Sequence, residues 1–193
     1  VIENEEIKEI TRDSAINESE RVTFENENII KDAYDSGVPM GGDIFEEETD
    51  KAPSFLIWAQ RDVNGAPLQR IQVIKGSISR ADSRPTEKVY DVACSDGLEV
   101  DPQTNRCPDN GARVDIETCA ISKNVGAAEL KTIWTDPDFD KTDSAFYYVR
   151  VLENPSCRWS TWDAIRNGSA PRPDVPTVIQ ERAWSSPIWV EQS

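Results

Sequence analysis

Histidine, the side chain that most often moves protons near neutral pH and most often supplies nitrogen to a catalytic metal, is absent from all 193 residues. A Ser-His or Cys-His nucleophile pair, a His-ligated zinc and histidine phosphotransfer are therefore excluded within this chain. Carboxylates and oxygen-ligand metal sites stay open. Asp136-Pro137-Asp138-Phe139-Asp140 sets three acids at alternate positions, like the start of an EF-hand loop. The sixth position is Lys141 where that loop needs Gly, and the twelfth is Tyr147 where it needs Glu, so the segment reads as a turn. Two other stretches place reactive or recognising groups where a site would want them. Gly41-Gly42-Asp43 combines two residues that permit close backbone approach with an acid that can cap a backbone or meet a cation. Glu181-Arg182-Ala183-Trp184 sets an ion-pair candidate beside aromatics, where Arg can stack on Trp or fork to an anion. Gly41, Gly42, Asp43, Glu181, Arg182 and Trp184 are thus the candidate site-facing residues. No catalytic, cofactor-binding or metal-ligating residue is assigned within the chain.

These groups need a frame, and the pattern supplies one made of strands. From residue 53 onward the hydrophobic period is two. Runs at 54–59, 71–75, 88–93, 113–119, 130–134, 146–152 and 187–190 predict about seven short strands. Asn64-Gly65 marks a connection, lengthened by Pro67. A short helix is expected over 27–36, with Ile29, Ile30 and Ala33 sharing a face and Gly37 as a left-handed cap. A second is expected within 158–168, with Ser160 as N-cap, Gly168 ending it and Trp159, Trp162 and Ile165 forming one buried stripe. Twelve Pro and nine Gly fit this turn-rich plan. The expectation is an all-β fold, an immunoglobulin-like β-sandwich of about seven strands with one or two short helices.

The formal net charge of -15 argues against nucleic-acid backbones and anionic membranes as partners. That acidity is concentrated at the start, because residues 1–50 hold 16 acidic and 4 basic residues. Residues 1–36 therefore read as an acidic arm, poorly ordered or partly helical, and residues 37–193 as the β-sandwich domain. No apolar run approaches the roughly 20 residues of a membrane span. The first residue is Val1, which suits a mature form, a fragment or an excised domain. Cys94, Cys107, Cys119 and Cys157 form no C-x-x-C pair, so two disulfides are favoured over zinc. Of three connectivities, Cys94–Cys107 with Cys119–Cys157 is preferred, because the first staples a loop holding Asp96-Gly97 and Asp101-Pro102. Disulfides imply a periplasmic or extracellular location.

Six collinear blocks carry a family resemblance: Gly37–Asp43, Ile71–Gly76, Val89–Ala93, Trp134–Asp140, Ala145–Glu153 and Ile179–Trp189. Together they resemble the C-terminal part of a bacterial family of domains of unknown function, itself distantly similar to the PHP metallohydrolases. Residues 1–36 match it poorly. The resemblance implies a larger, exported parent whose upstream catalytic domain holds a divalent metal on His and Asp ligands and cleaves phosphate or sulfate esters. None of those histidines lies here. On this basis the chain is expected to be a noncatalytic accessory domain without a cofactor of its own, partnered by that upstream domain. Asp43 would position backbone and Arg182 would contact an anion. The rival expectation is an extracellular glycan-binding module using Trp159, Trp162, Trp184 or Trp189 as stacking platforms. An enzyme complete in this chain, acting through paired carboxylates, is the least favoured of the three.

Overall fold

Alternation from residue 54 onward does become sheet. The computed structural model describes residues 24, 27–45 and 51–191. Its ten strands are β1 (Asp43–Phe45), β2 (Ser54–Gln60), β3 (Leu68–Ile78), β4 (Pro85–Cys94), β5 (Glu129–Thr135), β6 (Ser144–Glu153), β7 (Ser156–Cys157), β8 (Val178–Ile179), β9 (Arg182–Trp184) and β10 (Ile188–Glu191). The helices are α1 (Ile29–Ser36) and α2 (Trp159–Arg166). The main sheet runs β1-β10-β6-β3-β4, with β9 also paired to β6. The second layer is the antiparallel pair β2-β5. Most of the acidic arm lies outside the described residues.

The core sits between these layers and follows the period of two. Phe55, Ile57 and Ala59 of β2 with Leu130 of β5 face Ile71 and Val73 of β3 and Tyr147, Val149 and Val151 of β6. Cross-strand partners Ile71–Val151, Val73–Val149 and Lys75–Tyr147 share this inner face. The intervening residues Arg70, Gln72, Ile74 and Gly76 therefore point to the opposite, outer face. A bulge between Ile71 and Gln72 bends β3 against β4. On the outer face Phe146 lies across Gly76, where an added Cβ would sit 2.3 Å from the ring. Glycine at 76 is what lets that aromatic lie flat on the sheet.

Strand β6 keeps one edge covered by two successive short strands. β10 pairs with its first half, and β9 with its second. The break falls at Ser185-Ser186-Pro187, where proline has no N–H to offer. Ser185 bridges the gap: its backbone N–H donates to Val149 O, and its hydroxyl accepts from Val149 N–H and donates to Ser186 O.

Both preferred disulfides form, with Cα–Cα separations of 5.6 Å for Cys94–Cys107 and 5.5 Å for Cys119–Cys157. The strand expected over 113–119 does not form. Asp115 accepts from Glu117 N–H and the Thr118 hydroxyl, which folds the segment into a turn. Cys119 then takes a positive φ of 56°, leaving one isolated bridge, Val114–Ile121.

Two helix expectations also change. In α1, Ile29 and Ala33 are buried but Ile30 is exposed, so the apolar stripe is narrower than expected. Gly37 is extended rather than left-handed: it still bonds Ala33 O, and Val38-Pro39 then carries the chain away in extended form. In α2 the buried residues are Ser160, Thr161 and Ala164, whereas Trp159 and Trp162 are exposed. The Cys157 disulfide just before the helix and the Thr161 hydroxyl bonded to Thr177 O fix which face turns inward. Arg158, not Ser160, is the N-cap, and Arg166 lies over the outward Trp162 ring at 5.6 Å.

Glu153 at the end of β6 is buried and accepts a hydrogen bond from Ala66 N–H at 3.2 Å. Burial pushes its pKa up; the Ala66 bond opposes this, and repulsion from Glu181 and Asp62 adds to it. A raised carboxyl pKa makes the protonated form the better-tolerated one in the fold. Its favourable contribution is complete below the ordinary glutamate range, about pH 4, and is lost as pH rises through the higher folded value. Glu153→Gln is therefore expected to flatten the pH dependence of stability above about pH 4 and to be neutral or stabilising once the pH has passed the raised folded value. Urea unfolding across that range checks it; an unchanged slope refutes it.

Candidate functional site

The acidic turn that looked most like a metal loop is committed to the interior. Asp136 accepts from Lys75 Nζ at 2.6 Å and from the Tyr147 hydroxyl at 2.7 Å. Its other oxygen accepts from Asp138 N–H at 2.9 Å. Lys75 also donates to Asp138 O at 2.7 Å. The Asp138 carboxylate takes Tyr90 OH at 2.6 Å and Lys88 Nζ at 3.0 Å, and these two partners hold its pKa below the usual range. Burial and the neighbouring carboxylates push both phenols, Tyr90 and Tyr147, well above the normal tyrosine value. Asp136 has each of its oxygens engaged from within the protein, so the cluster pins the 136–138 turn to the sheet, while Asp138 and Lys88 keep about half of their side-chain surface exposed. Among the described residues no group of three or more Cys, Asp and Glu is arranged to hold a metal.

The outer face of the main sheet is different: Arg182, Trp184 and Trp189 are exposed on it, over buried Gln72, Asp91 and Leu152. Three lateral rows cross it, read from the strand registers. One row is Asp43–Trp189–Phe146–Gly76. A second is Trp184–Arg150–Gln72–Asp91. A third is Arg182–Leu152–Arg70–Cys94. The first row is aromatic: Phe146 lies 5.1 Å from Trp189 and 6.4 Å from Tyr148, centre to centre. Beside it Gly76, Ile78, Pro85, Phe146 and Trp189 line a groove of about 730 Å³.

The other two rows are basic. Asp91 anchors them: its side chain accepts from Gln72 at 2.6 Å and from Cys107 N–H at 2.7 Å. Arg70 and Arg106 each approach it to 3.6 Å. The Cys94–Cys107 disulfide brings Arg106 there, where Nη1 also donates to Val89 O at 2.5 Å. Arg150 Nε donates to Gln72 Oε1 at 2.7 Å. Glu181, Arg182 and Trp184 in addition line a cleft of about 640 Å³ together with the Asp109–Arg113 pair.

Of the six residues singled out from the sequence, Asp43, Arg182 and Trp184 share this face, but they do not form one pocket. Phe146 and Leu152, their neighbours on β6, are six residues apart, roughly 20 Å along a strand. Glu181 does not pair with Arg182; its carbonyl accepts from Glu153 N–H. Gly41 and Gly42 hold a turn to the edge of β10, through Gly41 N–H to Pro187 O and Trp189 N–H to Gly42 O. Gly41 needs its freedom there, with φ at 90°. Arg70, Gln72, Asp91, Arg106 and Arg150 were not singled out. Arg70 and Gln72 on β3 and Arg150 on β6 do fall at alternate positions, but Ile74, Phe146 and Leu152 interrupt the series, and the same alternation marks any solvated sheet face.

All four candidate stacking tryptophans, Trp159, Trp162, Trp184 and Trp189, are exposed. Among the described residues none of them stacks on another.

No curated protein and no solved structure matches the chain. One family model, described as a protein of unknown function (DUF3604), matches residues 15–192 and so reaches into the segment read as an arm. Among the described residues no helix is long and apolar enough to cross a membrane. With nearly its whole length aligned to that model, the chain belongs to the DUF3604 family of proteins of unknown function.

Proposed function

We propose that this chain is a noncatalytic accessory β-domain of a larger, exported, PHP-like metal-dependent hydrolase acting on phosphate or sulfate esters. The aromatic end of the outer face of its main sheet is the surface turned toward the upstream catalytic domain. The supporting observation is the aromatic end of that face: Trp189 is 44% exposed beside Phe146, and the exposed Phe45 and Ile78 flank it. A contiguous apolar patch of this kind on a sheet face suits a protein partner better than water. Two disulfides are compatible with export.

The test is Trp189→Arg in the full-length polypeptide, beside the same substitution in the isolated chain. The expected result is an about tenfold or greater fall in ester turnover, the scale of losing one well-packed aromatic anchor. The isolated chain's melting temperature should stay close to the wild-type value, since the ring is half outside. Unchanged turnover, with unchanged hydrogen exchange at Phe146–Tyr148 when the domains are joined, overturns the docking reading.

A second reading, an extracellular glycan-binding module, is favoured by the exposure of Trp184 (52%) at the cleft mouth. Saturable quenching of Trp fluorescence by neutral oligosaccharides, abolished by Trp184→Ala, would support it over docking.

A further inference from the structure

The basic end of the outer face carries more positive charge than its surroundings satisfy. Arg106, Arg150 and Arg182 all stand near Arg70, and Asp91 is the carboxylate that pairs with Arg70 and Arg106, in a chain whose net charge is -15. Asp91 is itself fully engaged by Gln72, Cys107 N–H, Arg70 and Arg106. Among the described residues, neither Arg150 nor Arg182 has a carboxylate partner.

The register places three of these arginines on one face around Leu152. Arg70 and Arg182 flank the buried Leu152 on its two sides, each one strand away, about 5 Å. Arg150 stands two residues along β6, on the same face. The three are close enough that Arg150 and Arg182 both depress the pKa of Arg70, after the larger effect of its burial. Arg70 Nη1 is held by Gln69 Oε1. Its Nε is buried and makes no hydrogen bond, and the Asp91 carboxylate oxygen is 3.6 Å away, beyond bonding distance. A buried, unbonded donor on a charged side chain is costly. Asp91 offsets part of the charge on Arg70, but Arg150 and Arg182 still repel it, and like charges kept together are costly as well.

An anion with several oxygens relieves both costs. A carboxylate has two oxygens in one plane and suits one fork-shaped guanidinium. A tetrahedral oxyanion has oxygens on every side and can serve several at once. Trp184 stands beside Arg150 in the register and next but one to Arg182, so it offers a flat face to whatever the anion is attached to. We propose that Arg70, Arg150 and Arg182 form a binding site for a phosphate or sulfate group, free or borne on a small molecule. Gln72 and Asp91 frame the site, and Trp184 forms its rim. This site does not depend on the docking reading, because it lies at the other end of the sheet and is assayed on the chain alone.

The probes are inorganic phosphate, inorganic sulfate and phenyl phosphate, with acetate and chloride as controls at matched ionic strength. Binding is read by calorimetry, by melting temperature and by Trp fluorescence. Phosphate and sulfate are expected to bind saturably and raise the melting temperature. Tighter binding of phenyl phosphate, with quenching that Trp184→Ala removes, identifies an ester as the ligand; equal affinity identifies the free anion, and either supports the site. Arg182→Gln, on a short edge strand, is expected to weaken binding at least about tenfold, the scale of one charged hydrogen bond. Arg150→Gln should do the same, while Arg84→Gln, beside Asp82 on a distant turn, should not. A response that follows ionic strength alone overturns the proposal. So does unaltered binding in Arg182→Gln shown to be folded by circular dichroism. Acetate binding as tightly as phosphate also overturns it and points instead to a carboxylate on a protein partner.

Discussion

Lys75→Met is expected to lower the free energy of unfolding by about 3–5 kcal/mol, because it strands a buried carboxylate. The side chain of Asp136 is 0% exposed and that of Lys75 is 7% exposed, with 2.6 Å between charge centres. Removing the ammonium leaves Asp136 with the Tyr147 hydroxyl and the Asp138 N–H as donors, but with no compensating charge. It also takes a donor from the Asp138 carbonyl. The two surviving hydrogen bonds place the expected loss toward the lower end of that range. Lys75→Met combined with Asp136→Asn should recover most of the loss, since a neutral amide needs no counter-charge. Urea unfolding at constant m-value measures both. A loss under about 1 kcal/mol in the single variant would show that two dipolar donors suffice to hold the charge.

Replacing Cys119 and Cys157 together by Ser is expected to cost about 4 kcal/mol on the chain-entropy estimate for a closure of 38 residues. Removing Cys94 and Cys107 together, which close only 13, should cost about 3 kcal/mol on the same estimate. The two should also differ in kind. Cys119–Cys157 ties the loop before β5 to the start of α2, so its loss should open the 113–121 segment to proteases while the sheet persists. Cys94–Cys107 holds Arg106 against Asp91, so its loss should weaken the oxyanion binding proposed above. Denaturation midpoints and limited proteolysis under non-reducing conditions separate these outcomes. A reversed order of stability loss would mean that packing around the shorter loop, rather than chain entropy, sets the cost.

The strands with a period-two run of bulky residues were readable because half of each strand must be dry. β2, β3, β4, β5, β6 and β10 all appear where the alternation placed them, with ends moved by a few residues. β1, β7, β8 and β9, each two or three residues long, carry too little pattern to be seen before their partners are known. The failures have local causes. The 113–119 run alternates like a strand, but the turn bonds of Asp115 to Glu117 and Thr118 end it. The tryptophans of α2 look like a buried stripe, yet the disulfide and Thr161 turn the small residues inward instead. Hydrophobicity ranks which side chains gain from burial; it does not decide which face a tethered helix can present.

Lys75 shows where the sequence had more to give. It occupies the third inward position of β3, after Ile71 and Val73, and an inward lysine requires a buried acid. Asp136 is that acid, 61 residues away, and nothing in local spacing could name it. The basic end of the outer face is the same problem in reverse. Arg70, Arg150 and Arg182 are far apart in sequence and ordinary one by one.

From the residues alone came the absence of histidine, the β architecture, a preferred cysteine pairing among three and the alternation of faces along the longer strands. These depend on composition, on loop closure and on a period of two, all of which are properties of the chain. Which residues become neighbours across the sheet was settled only by the order β1-β10-β6-β3-β4 and its registers. Lateral neighbours are set by long-range pairing, and a shift of one residue would send every one of these side chains to the opposite face.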